Sequence, residues 1–445
     1  MNAKEVITQH FIAPFAKPNR NNVGTELEFP LLSLSGAPVT EDIGCRLLAH
    51  LLENGFSALE TDINGRGVFL ANADGDCLSF DNSYHNFEFA MEKNESLTAI
   101  SARFYRLFAK VQNFLLSNGH MLCGLGINPR YDASNPLPVE YPIYRTIRQF
   151  LSNFSGGDFH SYTSFPAWLS SVQTHMDVPL SNLPRALTLM ASLDFARGLL
   201  FSNALPLEPR KEFGNVICFR DYLWEKSGFG SLADNTGAVC GCFESAEDMI
   251  DMFLKKSIFL KKEGEAYNII PPISVADYFN GGAPDEAISG YLSFKNVEIT
   301  RRGTLEIRSD CAQPVGAAFA PPAFNIGILQ EAEQAEALTE SFFAKALPIA
   351  LAKNPNRNAI LRKKAIYGEP LFAEEALVKE FLCDLVALAE KGLKNRGFGE
   401  ENLLKPLFGR AEQLLCPAKI YKTRQREGTS ESDILKDFAD AEKIF

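Results

Sequence analysis

The sequence predicts an α+β protein, with an antiparallel sheet curved around a polar cavity and helices packed behind it. Three observations carry this. Residues 23–30 (VGTELEFP), 87–90 (FEFA), 171–178 (SVQTHMDV) and 304–310 (TLEIRSD) alternate polar and apolar side chains. That period of two gives a sheet with one packed and one polar face. In order, the polar sets are Glu26 and Glu28; Glu88; Gln173, His175 and Asp177; and Glu306, Arg308 and Asp310. These sets hold Glu, Gln, His and Arg but no Lys, which suits a lined cavity better than open surface. From Phe324 onward the pattern becomes helical, with few β-branched runs.

The elements follow in chain order. Lys4 to Phe11 reads as a short leading helix, punctuated by Pro14 and Pro18 before the first strand. Ile43 to Glu53 is amphipathic and stops at Asn54-Gly55. Ile100, Phe104, Leu107, Phe108, Val111, Phe114 and Leu115 keep helical spacing up to Asn118-Gly119. Pro184 opens another helix running to Leu200. Residues 203–245 are rich in loops and are expected to lie over the polar face, partly mobile. Three later segments, 330–347, 372–394 and 401–415, read as helices behind the sheet. The charged, Ser/Thr-containing stretch from Thr423 to Asp433 is expected to be loosely held.

Composition excludes several functions. The chain of 445 residues carries a net charge of −11, the wrong sign for a phosphate-binding surface on nucleic acid or an anionic membrane. No run of about 18 apolar residues is present, so no transmembrane helix is expected. The first ten residues have no apolar signal core, which points to a cytoplasmic protein. Nine cysteines at scattered spacing give no disulfide framework, and Cys240-Gly-Cys242 is too close for a CxxC site. There is no GxxxxGK[ST] loop. Residues 228–233 (GFGSLA) match GxGxxA in form but follow Glu225-Lys-Ser rather than a strand, so a Rossmann site is disfavoured. His10, His50, His85, His120 and His160 are isolated and read as structural or surface residues.

Glu26 and Glu28 are the most informative pair. Adjacent carboxylates on one strand face repel unless a cation lies between them, and hard magnesium takes oxygen ligands. The plain alternative is the wet face of an ordinary strand.

The four segments, in this order, resemble the glutamate–cysteine ligase family, most closely its plant-type branch. Other stretches carry the likeness further. Residues 124–130 (GLGINPR) resemble the family's GIGFQPKW loop, 144–150 (YRTIRQF) its YGIMRNYM helix, and 171–178 its TCTVQANLDF strand. Residues 218–224 (CFRDYLW) are similar to SYRSxIW, and 298–310 to EVRLKRYLEMRGAD. The resemblance runs from about residue 20 to about 315 and implies the catalytic fold shared by glutamine synthetase and guanidino kinases. It implies a sheet-based ligase core over residues 1–325 and a helical region over 326–445, as a monomer or homodimer. It also implies ATP and Mg2+ as cofactors. The activity implied is ATP-dependent activation of the γ-carboxyl of glutamate and its joining to cysteine, the first step of glutathione biosynthesis.

On this resemblance Glu26, Glu28, Glu88, Gln173 and Glu306 hold magnesium. Arg308 meets the phosphoryl oxygens, with Arg301 and Arg302 beside the nucleotide. Arg220 grips a substrate carboxylate, and Tyr222, Trp224 and His175 line the substrate pocket; positions 220, 222 and 224 alternate as in a pocket wall. Two departures stand out. The family's His-Leu-Thr-Thr segment corresponds to residues 290–294 (GYLSF), and the arginine of EVR falls on Thr300. They keep a second reading open, the same chemistry with a different amine. A phosphotransferase and an inactive binding protein are weaker readings, because the motifs match ligases and every candidate carboxylate is retained.

Overall fold

The computed structural model describes residues 1–17, 21–162, 164–208 and 210–445; Pro18 lies outside them. Strands are β1 (Val23–Ser33), β2 (Ser57–Thr61), β3 (Gly67–Ala71), β4 (Cys77–Phe80), β5 (Asn86–Asn94), β6 (His120–Leu122), β7 (Ser171–Met176), β8 (Thr236–Gly237), β9 (Ser257–Glu263), β10 (Ala266–Ser274), β11 (Phe294–Lys295), β12 (Val297–Ile299) and β13 (Leu305–Cys311). One antiparallel sheet runs β12-β13-β7-β1-β5-β4-β3-β2, with β6 on the far end of β1. The fold is α+β, as the alternation predicts.

Register decides which side chains meet. Glu28 lies opposite Glu88, Glu26 opposite Gln173 and Ala90, and Glu306 opposite both His175 and Glu298. The polar residues of four strands therefore share one face. The other face carries Leu27, Phe29, Phe87, Phe89, Val172, Leu305 and Ile307, all buried. The helix Leu97–Ser117 lies on it, and the ring of Phe104 meets Phe29, Phe89 and Phe319 at 5.8, 5.1 and 5.3 Å between centroids. We expect Phe104→Ala to cost about 3–5 kcal/mol, measured by denaturant unfolding, through lost burial and the cavity it leaves. A cost below about 1 kcal/mol would remove Phe104 from the core of this interface.

A second apolar cluster roofs the polar face. It contains Phe150, Phe165, Phe219, Phe229 and Phe259, and takes in Cys311 from the polar side of β13. Its elements include the helices Pro142–Ser152 and Phe219–Glu225.

Several expectations need correction. The leading helix is α-helical only over Ala3–Ile7, continuing as π- and 3-10 turns to Ala16. The helix opened by Pro184 breaks at Leu193 into Leu183–Ser192 and Asp194–Phe201. Most of the stretch expected to be loose instead lies in the helices Pro417–Arg426 and Glu431–Ala439, which residues 427–430 join; Tyr421, Ile434, Leu435 and Phe438, flanking the stretch, bury against Leu32, Met121 and Leu125. The stretch itself is charged and has no buried residue, and the apolar residues that anchor its helices lie just outside it. Gly228 and Gly230 follow a helix, not a strand, and a Cβ on Gly230 would stand 1.8 Å from the Glu225 carbonyl oxygen. That glycine serves a tight turn. Among the described residues no helix is long and apolar enough to cross a membrane, and every cysteine is free.

Candidate active site

Two groups of ligand-type side chains form on the polar face, each with its atoms within 4.8 Å of one another: Glu26, His175 and Glu306; and Glu28, Asp81 and Glu88. The two differ in charge balance.

In the first group His175 Nε2 lies 3.2 Å from Glu26 and 3.7 Å from Glu306, while Nδ1 meets the Thr304 hydroxyl at 3.2 Å. Burial works against the His175 charge, but Glu306 and Glu26 outweigh it and raise its pKa. Burial likewise pushes the Glu26 carboxyl up, yet the hydrogen bond and charge of His175, with Arg302, hold it at about 2. Arg308 Nη1 donates to Glu306 at 2.7 Å. This group is compensated by its own imidazole and arginines.

The second group has no such partner in its ligand set. Burial first, then the Asp81 charge, raises Glu28 to about 7. Burial and the charges of Glu26 and Asp81 push Glu88 well above the usual carboxylate range, and Asp81 is raised mainly by burial, against a hydrogen bond from Tyr144. Glu28 accepts from the Ser171 amide at 2.8 Å and from Gln173 Nε2 at 3.1 Å. Gln173 Oε1 is buried and without a hydrogen-bond partner among the described residues. One buried and two half-buried carboxylates beside an orphaned amide oxygen form an all-oxygen donor set that fits a hard divalent cation.

The outlying candidates divide. Arg220 Nη2 donates to the Arg308 carbonyl at 3.1 Å, and its charge draws Glu28 down. Trp224 stacks on Phe294 at 4.5 Å. The expected alternation of 220, 222 and 224 fails because Phe219–Glu225 is a helix. Residues 220 and 224 share a face, whereas Tyr222 turns into Phe213 and Phe219 and leaves the site. Arg302, 71% exposed, reaches Glu26 at 3.3 Å; Arg301 is exposed. Asp310 is also misplaced by strict alternation. A register shift between Ile307 and Asp310 turns it to the helix-packed face, where it accepts from Asn325 at 3.0 Å.

Asp81 and Glu298 were missed. Asp81 continues the Cys77, Ser79 face one residue past β4, a period-two signal cut short by the strand end. Glu298, opposite Glu306, pairs with buried Lys256 at 2.8 Å. A cavity of about 340 Å³ opens beside Glu26 and His175, lined also by Gly24, Lys93, Asp177 and Arg302.

No protein-family model matches the chain, and no curated protein matches it. Among solved structures it is similar to a glutamate–cysteine ligase from Francisella tularensis in complex with AMP (TM-score 0.49, 13% identity, over 95% of this chain and 89% of that one). It is similar to a bifunctional glutathione synthetase from Pasteurella multocida (TM-score 0.49, 11% identity, 98% of this chain), spanning 52% of that longer protein. A third is the ligase PafA in complex with the ubiquitin-like protein Pup (TM-score 0.45, 13% identity, 95% of this chain and 73% of that one).

Proposed function

We propose that the protein is an ATP- and Mg2+-dependent carboxylate–amine ligase that activates the γ-carboxyl of glutamate and joins it to the amine of cysteine. The observation that carries this is the all-carboxylate Glu28–Asp81–Glu88 group standing beside the Glu26–His175–Glu306 group, which holds its own imidazole, with Arg308 and Arg220 on the same roofed face.

The chemistry is two displacements. A carboxylate oxygen attacks the γ-phosphorus of ATP, the bond to ADP breaks, and an acyl phosphate forms. The amine nitrogen then attacks the acyl carbon, phosphate leaves, and the amine proton is released. Both partners of the first step are anions, so the barrier is largely electrostatic. Magnesium, when bound, supplies neutralising charge at the phosphate oxygens, and Glu28, Asp81, Glu88 and Gln173 are suited to hold it, with Glu26 and Glu306 as further ligands. Arg308 supplies a planar fork for the transferring phosphoryl group. Arg220, whose Nε is buried without a partner among the described residues, offers its remaining donors to a substrate carboxylate. Trp224 and Phe294 wall that end. The roof keeps out water that would hydrolyse an acyl phosphate.

A second reading keeps the chemistry and changes the amine. Thr300 hydrogen-bonds Thr304, which in turn holds His175, so the position that resembles a family arginine is here a hydroxyl braced inside the site. The deciding experiment measures ADP release with glutamate while amines are varied one at a time. ADP formation is expected to require glutamate, with cysteine the best common amine. If another carboxylate works and glutamate never does, the donor assignment fails. If cysteine is among the poorest amines, only the acceptor is reassigned.

A further inference from the structure

We infer that Arg362, on the helix Arg357–Ile366 far along the chain from the sheet motifs, is a positioning residue that fixes the spacing of Arg220 and Arg308; this rests on the ligase reading above. Arg362 is 3% exposed, and no motif in the sequence singles it out. Its guanidinium makes three links. Nε donates to Asp221 at 2.8 Å, Nη1 to the Asp194 carbonyl at 2.9 Å, and Nη2 to the Ser309 carbonyl at 3.2 Å. Asp221 adjoins Arg220, and Ser309 adjoins Arg308.

Because Arg220 Nη2 also donates to the Arg308 carbonyl, the links close a ring: Arg362, Asp221, Arg220, Arg308, Ser309 and back to Arg362. Such a ring holds a helix end and a strand bulge at one separation, and neither element can slide without breaking a buried charge-assisted bond. The surroundings reinforce it. Asp194 accepts from Arg197 at 2.9 Å, from the Ser309 hydroxyl at 2.8 Å and from Asn296 Nδ2 at 2.7 Å. The Asn296 carbonyl accepts the Arg308 amide at 2.9 Å, so the bulge is gripped from both sides. Gly198 leaves the space the guanidinium needs, since a Cβ there would stand 3.2 Å from Nη1.

A lysine keeps the charge but cannot make all three links in their planar directions. Displacement of about 1 Å at reacting groups can cost about 10²-fold in rate. Three readouts test Arg362→Lys. The variant should melt cooperatively, with kcat for ADP release down at least about tenfold, the KM for ATP little changed, and no further loss when combined with Arg220→Lys than Arg220→Lys shows alone. The two tryptophans are Trp168 and Trp224, so a Trp168→Phe background reports Trp224, one helical turn from Arg220. There Arg362→Lys should red-shift the emission as the helix loosens from Phe294. If Arg362→Lys does not fold, Asp221→Asn, which weakens the Nε link, takes its place in all three measurements. A wild type that releases no ADP sinks the ligase reading, and the Trp224 spectrum still decides the positioning claim. An unchanged spectrum, an unchanged kcat in the folded variant, or losses that multiply with Arg220→Lys would overturn it.

Discussion

Glu28→Gln should lower kcat for ADP release by about 10²–10³-fold while leaving the fold intact, because it removes one fixed charge from a site whose catalysis is electrostatic. The tolerance of the fold follows from the hydrogen bonds. Glu28 accepts from Ser171 and from Gln173 Nε2, and Gln173 Oε1 has no partner among the described residues. A glutamine at 28 can keep its oxygen on Ser171 and turn its amide to Gln173, which flips to accept through Oε1. Charge repulsion from Asp81 is relieved at the same time.

The pH dependence has a definite sign. The Glu28 carboxyl is raised from an ordinary 4.5 to about 7 in the folded, metal-free protein, so the unfolded chain ionises more readily. The folded state then loses stability as pH rises from about 4.5 to about 7, and the penalty is complete above that. Melting in EDTA should show the wild type falling relative to Glu28→Gln across this window, and magnesium should close the gap. Near-normal ADP release from the variant at saturating magnesium would remove Glu28 from the metal site.

The same residues show what was legible in the sequence and what was not. Glu26, Glu28, Glu88, Gln173, His175 and Glu306 are on one face because strands impose a period of two, and each lies within a regular stretch of ladder. Three of the failures sit where that period stops. Asp310 follows a bulge, Asp81 follows a strand end, and Tyr222 lies in a helix whose spacing of 3.6 was read as 2. Burial of the polar face was legible from the lack of lysine in the polar sets of its four sequence segments, but the pairing of Lys256 with Glu298 was not, since it joins side chains 42 residues apart. Arg362 shows the same limit more sharply. Its partners Asp221 and Ser309 are 141 and 53 residues away, and only the fold puts them around one guanidinium.

Arg308→Lys should lower kcat by about 10²-fold although the charge is kept, because a phosphoryl group is met by a planar fork and an ammonium is a point donor. The side chain is 30% exposed and lies 2.7 Å from Glu306, so it is poised at the mouth of the site rather than locked in the core. The backbone of residue 308 does separate work. Its amide donates to Asn296 and its carbonyl accepts from Arg220, and neither contact depends on the side chain. The KM for the carboxylate donor should therefore stay near the wild-type value while kcat falls, the pattern of an interaction made in the transition state. Arg302 gives the contrast. It also bears on Glu26, but at 71% exposure its ion pair is screened by water. Arg302→Ala should change kcat by no more than about fivefold. Steady-state kinetics of the two variants side by side separate the roles. Wild-type turnover in Arg308→Lys, or a larger loss in Arg302→Ala, would move the phosphoryl contact away from β13 and out to the β12–β13 turn.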